Sequence, residues 1–299
     1  MRKVYSLLLI ALFAVTLSAC GNTQQNETGP SDEAKNDTQT FKIGAIPDQD
    51  VSNLNRRFND FATYLSEQTG LNVEYVPSQD YAALVTAFNR GEIQLGWFGG
   101  LTGVQARSQV EGAEAIAQRP SDQEFHSVFI KQAGLDVESL KDLEGKSFTF
   151  GSESSTSGHL MPRHFLTEAG INPEEDFAGE PNYSGSHDAT YQLVEAGSFE
   201  TGALNELVWK SAVEEGKVDT DKVDVFYTTP AYYDYNWTIN NVNDTFGEGT
   251  KQKVQDALLN MGEKQKDILE LFHTDQFIKT KNENYKAIED VAKSLGIIK

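Results

Sequence analysis

Phe148-Thr-Phe-Gly-Ser-Glu-Ser-Ser-Thr-Ser-Gly-His-Leu-Met-Pro162 is the stretch on which the fold class turns. It opens as a short strand, passes through hydroxyl residues and a glycine, and runs into a helix that tolerates Pro162 only within its first turn. Ser155, Thr156 and Ser157 would supply neutral hydroxyl donors at that junction. The first turn would add free N–H groups and the positive end of the helix dipole, which together suit an anion. Gly158 lets a ligand approach the backbone closely. A plain Ser/Thr helix cap accounts for the hydroxyls equally well, so neighbouring segments have to decide.

The same grammar recurs on both sides. Upstream, Phe41–Pro47 reads as a strand, followed by a helix with Leu54, Phe58, Phe61 and Leu65 on one face and Gly70 as its stop. Strand Asn72–Val76 comes next, then a helix capped by Ser78, carrying Leu84, Val85 and Phe88 and ended by Gly91. Ile93–Phe98, Ala113–Ala117 and His126–Ile130 complete the upstream strands. Beyond Leu143 the pattern restarts: strand Ser147–Phe150, a helix ending near Gly170, a strand at Pro181–Tyr183, a helix ending near Gly197, and strands Gly202–Leu204 and Val223–Tyr227. From about Gly249 the chain reads as mostly helical. Alternating strands and helices predict parallel α/β sheets, and the restart predicts two lobes with the ligand cleft between them.

Three further junctions offer ligand groups. Asn182-Tyr-Ser-Gly-Ser-His-Asp188 again joins strand to helix, with Ser186 as the cap; His187 could donate to an oxyanion, and Asp188 could accept from a protonated ligand oxygen while rejecting a fully ionised one. Leu95-Gly-Trp-Phe-Gly-Gly-Leu-Thr102 ends a strand in two glycines, so Gly99 could expose its N–H with Phe98 as a wall, although a tight turn needing positive φ would explain the glycines too. Tyr232-Tyr-Asp-Tyr-Asn-Trp237 surrounds one carboxylate with aromatics, making Tyr233 and Asp234 candidates for a cleft wall or for the hinge between lobes.

The ends of the chain bear on location. Arg2 and Lys3 precede an apolar run that closes in Leu17-Ser-Ala-Cys20, the pattern of a secretory signal (residues 1–19) cleaved before a lipidated Cys20. Residues 21–40 contain no large apolar side chain and read, with Cys20, as a flexible tether (20–40). Removing the signal takes two of the 25 basic residues against 45 acidic ones, a net charge of −22, which makes nucleic acid and anionic membrane poor partners. Such a chain can still hold an anion, because exposed charges are screened over about 8 Å while site donors act at contact. Cys20 is the only cysteine, so no disulfide is expected and no thiolate remains for a metal; neither metal nor cofactor is expected.

These segments resemble, in order and spacing, the phosphate/phosphite/phosphonate ABC transporter substrate-binding proteins over nearly all of Phe41–Ile298. The resemblance rests on Asp80-Tyr81-Ala82 and the helix after it, Gly96–Thr102, Ser155–Pro162 and Ser184-Gly-Ser-His-Asp188. It implies an α/β type II periplasmic-binding-protein fold, two lobes (41–127 plus 232–299, and 128–231) joined by crossing strands, and an oxyanion held at Ser155-Thr156-Ser157. It also adds Tyr81 to the ligand candidates and implies a monomer, on the extracytoplasmic face of the cell membrane, that serves a permease and an ATPase. Ser152-Glu153 stands where many relatives have Asp-Pro, and Phe98 where some phosphonate binders have tyrosine, so the particular oxyanion stays open. Ile46-Pro-Asp48 and Tyr232–Trp237 also resemble a subgroup associated with selenate, and a sensor component would carry the same features. An enzyme is disfavoured: Ser155, His187 and Asp188 can be drawn as a triad, but there is no Gly-x-Ser-x-Gly, His-Glu-x-x-His or phosphate-binding loop.

Overall fold

A computed structural model describes residues 39–49 and 51–299. The signal, Cys20 and nearly all of the tether lie outside the described residues, and Thr40, the last tether residue, opens the first strand. Strands β1 (Thr40–Ala45), β2 (Asn72–Tyr75), β3 (Leu95–Phe98) and β4 (Glu114–Gln118) alternate with helices α1 (Val51–Thr69), α2 (Tyr81–Asn89) and α3 (Gly100–Gln109). The chain then crosses to β5 (Ser127–Gln132), β6 (Phe148–Phe150), β7 (Asn182–Tyr183), β8 (Thr201–Asn205) and β9 (Val223–Thr228). These strands carry α4 (Met161–Glu168), the short α5 (Pro173–Asp176), α6 (His187–Glu195) and α7 (Glu206–Glu214). It returns through β10 (Asn236–Ile239), α8 (Asn243–Phe246), α9 (Thr250–Leu259), α10 (Lys266–Leu269), β11 (Ile278–Lys279) and α11 (Lys286–Ser294).

Two sheets result, ordered β11-β4-β10-β3-β1-β2 and β7-β6-β8-β5-β9. They are mixed, not parallel as the alternation predicts. β1 runs parallel to β2 and β3, and β6 to β7 and β8, but β10 is antiparallel to β3 and β4, and β5 to β8 and β9. β5 and β10, antiparallel to both of their neighbours, are the strands that follow a crossing, and the short β11 is antiparallel to β4 at the sheet edge. Asn236, at the start of β10, pairs with Phe98 at the end of β3, and Ser127, at the start of β5, pairs with Asn205 at the end of β8. Each crossing segment therefore enters its sheet at the end that the parallel strands leave. The two segments lie side by side, Phe125 and Tyr232 exchanging backbone bonds of 2.8 and 3.0 Å. Strand ends, helix starts and both crossings thus share one place, where open α/β sheets bind ligands.

Packing follows the periods of the sequence. Along β5, Val128 and Ile130 face a core with Tyr191, Val194 and Val208, whereas Phe129 faces the opposite core with Phe148, Phe150 and Leu166. In α1, Phe58, Phe61 and Leu65 are buried on one stripe; Phe61 stacks on Trp237 at 4.9 Å, and Phe58 meets Phe272 edge-on at 5.5 Å. The largest core also takes in Leu160 and Met161, which follow the Ser155 stretch. Gly70, Gly91, Gly170 and Gly197 end their helices at positive φ, as their positions predict.

Two local readings change. Ser78 does not cap α2; Asp80 does, its Oδ1 accepting from Ala83 N at 2.7 Å with extended backbone angles. β10 and β11, read as an aromatic stretch and as part of a helical region, are strands. We expect Asp80→Ala to lower stability by about 1 kcal/mol in urea unfolding, and Ser78→Ala to change it by less than about 0.5 kcal/mol.

Candidate functional site

The Ser155 stretch does run from strand to helix, but its first turn is wider than an α-helix. Thr156–Leu160 forms a π-turn, Leu160 N bonding Ser155 O at 3.0 Å and Met161 N bonding Thr156 O, before α4 begins with Pro162 in its first turn. Ser155 caps the turn, its Oγ accepting from Gly158 N at 2.9 Å. Gly158 is needed for close approach: a methyl there would lie 3.0 Å from Gly151 Cα and 3.1 Å from His187 Cε1. Ser127 Oγ donates to Ser157 O at 2.8 Å, so the hydroxyl of Tyr232, 2.6 Å from Ser127 Oγ, must be the donor of that pair. Ser155, Thr156 and Ser157 are all buried.

Facing this turn is the start of α3. Gly100 N donates to Asp234 Oδ1 at 2.8 Å, and Leu101 N donates to Thr156 Oγ1 at 2.9 Å. The Thr156 hydroxyl lies close enough to the Asp234 side chain to act on its carboxyl. The hydroxyl therefore ties the α3 N-terminus to the π-turn, and the carboxylate ties it to the returning crossing. Proximity, not backbone torsion, explains the paired glycines: Gly99 has φ of −73°, but a methyl on it would lie 3.1 Å from Thr156 Oγ1, and one on Gly100 3.2 Å from Tyr233 O.

His187 is wholly buried at the start of α6, and its backbone N–H bonds Asp48 O at 3.0 Å. Its Nδ1 accepts from Asn205 N at 3.3 Å, which fixes the proton of the neutral ring on Nε2, 3.4 Å from Tyr235 Oη. Burial pushes its pKa down to about 3, so it is a neutral donor and not a cation. Tyr235 donates to Asp48 Oδ2 at 2.8 Å and accepts from Asn205 Nδ2 at 3.0 Å. Burial raises Asp48 to about 6 against the opposing effects of the Tyr235 bond and Arg119, and raises Asp234 to about 7 against the Gly100 N–H. Tyr81 lies close enough to Ser155, Asp48 and Asp234 for all of them to act on its hydroxyl, whose pKa burial drives well above normal.

Several side chains in this cluster lack partners. Tyr81 Oη, Ser157 Oγ and Asp234 Oδ2 are buried without a hydrogen bond of good geometry. Orphaned buried polar atoms are costly, and a group of them beside a helix start calls for a polar occupant.

Other sequence candidates go elsewhere. Ser186 caps α6 through Ala189 N at 3.4 Å, and its hydroxyl donates to Asp188 Oδ1 at 2.5 Å. Asp188 lines a cleft of about 380 Å³ with Gln49, Arg57, Tyr191, Ser211 and His273. Phe98 is not a cleft wall; its ring lies over Gly96 and meets Phe88 edge-on at 5.4 Å in the core. Tyr233 turns away to pack against Tyr285, ring centroids 6.0 Å apart. Conversely, Asp48, Arg119, Asn205 and Tyr235 were missed as chemistry. Arg119 is buried over the rings of Trp97, Phe125 and Tyr235, with Nε and Nη2 on Asp122 and Nη1 on Phe272 O. The Ile46-Pro-Asp48 order, a carboxylate just past a strand, was the signal that could have found Asp48.

Among the described residues no cluster of His, Cys, Asp and Glu is suited to a metal ion, and no helix is long and apolar enough to cross a membrane. Comparison with known proteins places the chain as a whole. The chain is 41% identical over 271 residues to the probable ABC transporter phosphite binding protein PhnD1 of Prochlorococcus marinus (strain MIT 9301), covering 87% of this chain and 91% of that one. The structure of that PhnD1 in complex with methylphosphonate superposes with a TM-score of 0.84 at 42% identity, over 87% of this chain and 100% of the other. A binding protein component of an ABC phosphonate transporter from Pseudomonas aeruginosa shares the fold at 19% identity, with a TM-score of 0.75 over 85% of this chain and 86% of that one. These neighbours are two-lobed binding proteins, and relatives of this kind bind solutes without transforming them. Residues 43–285 match the family model for the ABC transporter, phosphonate, periplasmic substrate-binding protein, and the chain belongs to that family.

Proposed function

We propose that this chain is a monomeric, lipid-anchored solute-binding protein that captures a small tetrahedral oxyanion of the phosphite, phosphonate or phosphate type between lobes 41–127 plus 232–299 and 128–231. It delivers the ion to an ABC importer. The observation that carries the reading is the set of unpartnered buried atoms, Tyr81 Oη, Ser157 Oγ and Asp234 Oδ2, beside the Thr156–Leu160 turn. The turn's free N–H groups, Tyr81 and His187 supply neutral donors to the ionised oxygens, and Asp234 Oδ2 accepts from the oxygen that keeps a proton. Asp234 takes the role that sequence alone suggested for Asp188, because the latter's carboxylate is already bonded to Ser186. Selenate or sulfate, with no proton to give, leaves that acceptor unmatched.

The anchor is tested by Cys20→Ala, which should release the protein from membranes with ligand affinity unchanged; retention of the variant in membrane fractions would contradict it. A thermal-shift panel of phosphate, phosphite, methylphosphonate, aminoethylphosphonate, sulfate and selenate tests the ligand class. A true ligand at 100 times its Kd should stabilise by about 2.7 kcal/mol, and no shift with any of them removes the oxyanion reading. Within a responsive protein, Thr156→Val should weaken binding about tenfold or more, because it cuts the link between the turn and the Leu101 N–H at the start of α3.

Asp234→Asn carries a pH signature. Its folded pKa of about 7 exceeds the usual 3.8, so the ligand-free fold holds a proton that the unfolded chain has lost, and this carboxyl withdraws stability as pH climbs from about 4 to about 7. Asparagine keeps the bond to Gly100 N without titrating. The stability difference between variant and wild type, measured without ligand, should therefore grow in the variant's favour by about 2–3 kcal/mol from pH 5 to pH 8. The variant should also bind phosphite more weakly and discriminate less against sulfate. A flat difference with unaltered ligand preference would place the proton elsewhere.

A further inference from the structure

The Thr156–Leu160 turn also carries a second polar cluster, whose hydrogen bonds are separate from those of Asp234. His159 is buried, its Nδ1 2.6 Å from Glu153 O, and Arg163 Nε donates to its Nε2 at 2.9 Å. Because Arg163 has no acceptor, Nε2 must be the accepting nitrogen, so Nδ1 carries the proton and donates it to the Glu153 carbonyl. The guanidinium is held in turn: Nη1 bonds Glu174 at 2.6 Å, Nη2 bonds Tyr183 Oη at 3.1 Å, and its carbon lies 5.3 Å over the Phe150 ring. The imidazole meets Phe150 and Tyr183 edge-on, each at 5.0 Å.

Resting on the oxyanion reading, we infer that His159 is a positioning residue for anion binding: its Nδ1–H clamps the Glu153 carbonyl and so sets the approach of Ser154 and Ser155 to the capped turn. The carbonyl belongs to the loop in which this chain carries Ser152-Glu153, whose other bonds are internal: Ser155 N to Ser152 O at 2.9 Å and a long contact of 3.4 Å from Ser154 N to Ser152 Oγ. Tyr183 ends the strand that leads into Ser184–His187, so the Arg163 guanidinium also joins the two helix starts on which Ser155 and His187 stand. Burial, with the adjacent guanidinium, holds the His159 pKa down at about 4, so the clamp keeps one tautomer across the physiological range. None of these contacts reaches Asp48, Tyr81 or Asp234. The role is one of geometry, since a turn displaced by a fraction of an ångström presents its N–H groups badly to a tetrahedral ion.

The test uses two amides of different reach. In His159→Asn the side-chain amide occupies the place of Nδ1 and can still donate to Glu153 O; in His159→Gln it extends toward the place of Nε2 and cannot. Calorimetric titration of the full chain with phosphite and with methylphosphonate, beside melting curves without ligand, should show His159→Gln about tenfold weaker than wild type and His159→Asn within about threefold of it. A purely structural histidine would give two variants that lose stability alike and bind alike. The inference is overturned if His159→Gln binds as tightly as wild type, or if His159→Asn binds as weakly as His159→Gln. A wild-type protein that binds neither ion would instead overturn the oxyanion reading on which this inference rests.

Discussion

Asp234 Oδ1 holds the Gly100 N–H at 2.8 Å while the Thr156 hydroxyl, close beside that carboxylate, holds the Leu101 N–H at 2.9 Å. On this junction the remainder of the site depends. It brings a helix start from the first sheet against the π-turn from the second, and it does so at the point where the chain crosses back, since Asp234 stands two residues before β10. The paired glycines at 99 and 100 are its steric condition. A side chain on Gly99 would press on Thr156 and one on Gly100 on the Tyr233–Asp234 backbone, which is why both positions lack a Cβ although neither has a positive φ.

The crossings also fix what the site can be made of. Because β5 and β10 run against their neighbours, Ser127 and Asn236 begin where β8 and β3 end, and polar residues near both crossings fall into the shared space. Tyr235 touches Asp48, 187 residues away, and Asn205, 30 residues away, through one hydroxyl. Ser127 does the same for Tyr232 and Ser157. The polar lining of the cleft is therefore a product of topology, assembled from segments that share nothing locally.

That explains which parts were legible in the sequence. Helix stops at Gly70, Gly91, Gly170 and Gly197 were readable because positive φ is a local demand that glycine answers. The Ser155 turn and Ser186 cap were readable because hydroxyls before a helix are a local signal, although nothing in Ser-Thr-Ser-Gly distinguishes a π-turn from an α-turn. Asn236-Trp-Thr-Ile was not readable as a strand: all four residues are buried, so no alternation marks it, and it owes its burial to lying between β3 and β4. Asp80 displaced Ser78 as a cap because the helix starts at Tyr81, a boundary that spacing of apolar residues fixes only loosely. For the same topological reason Arg119 and Asn205 carried no local sign of their chemistry, and Asp48 carried only its place just past a strand, until the crossings brought them together.

An acidic protein that holds an anion has to solve a problem of charge without giving the ion up to solvent. Here the nearest guanidinium, Arg119, is spent on buried Asp122, and His187 is kept neutral by burial. What remains is a set of neutral donors facing two carboxyl groups whose burial makes ionisation expensive, Asp234 above Asp48. Neutral donors can satisfy any oxyanion of the right size, so they cannot by themselves tell a phosphite from a sulfate. A carboxyl poised near neutrality can, because it accepts from an ion that carries a proton and repels one that does not. In the proposed arrangement affinity would come from the turn and selectivity from the acid opposite it. The Asp234 oxygen that anchors Gly100 leaves its twin without a partner, so under this proposal the group that builds the site would also read the ligand.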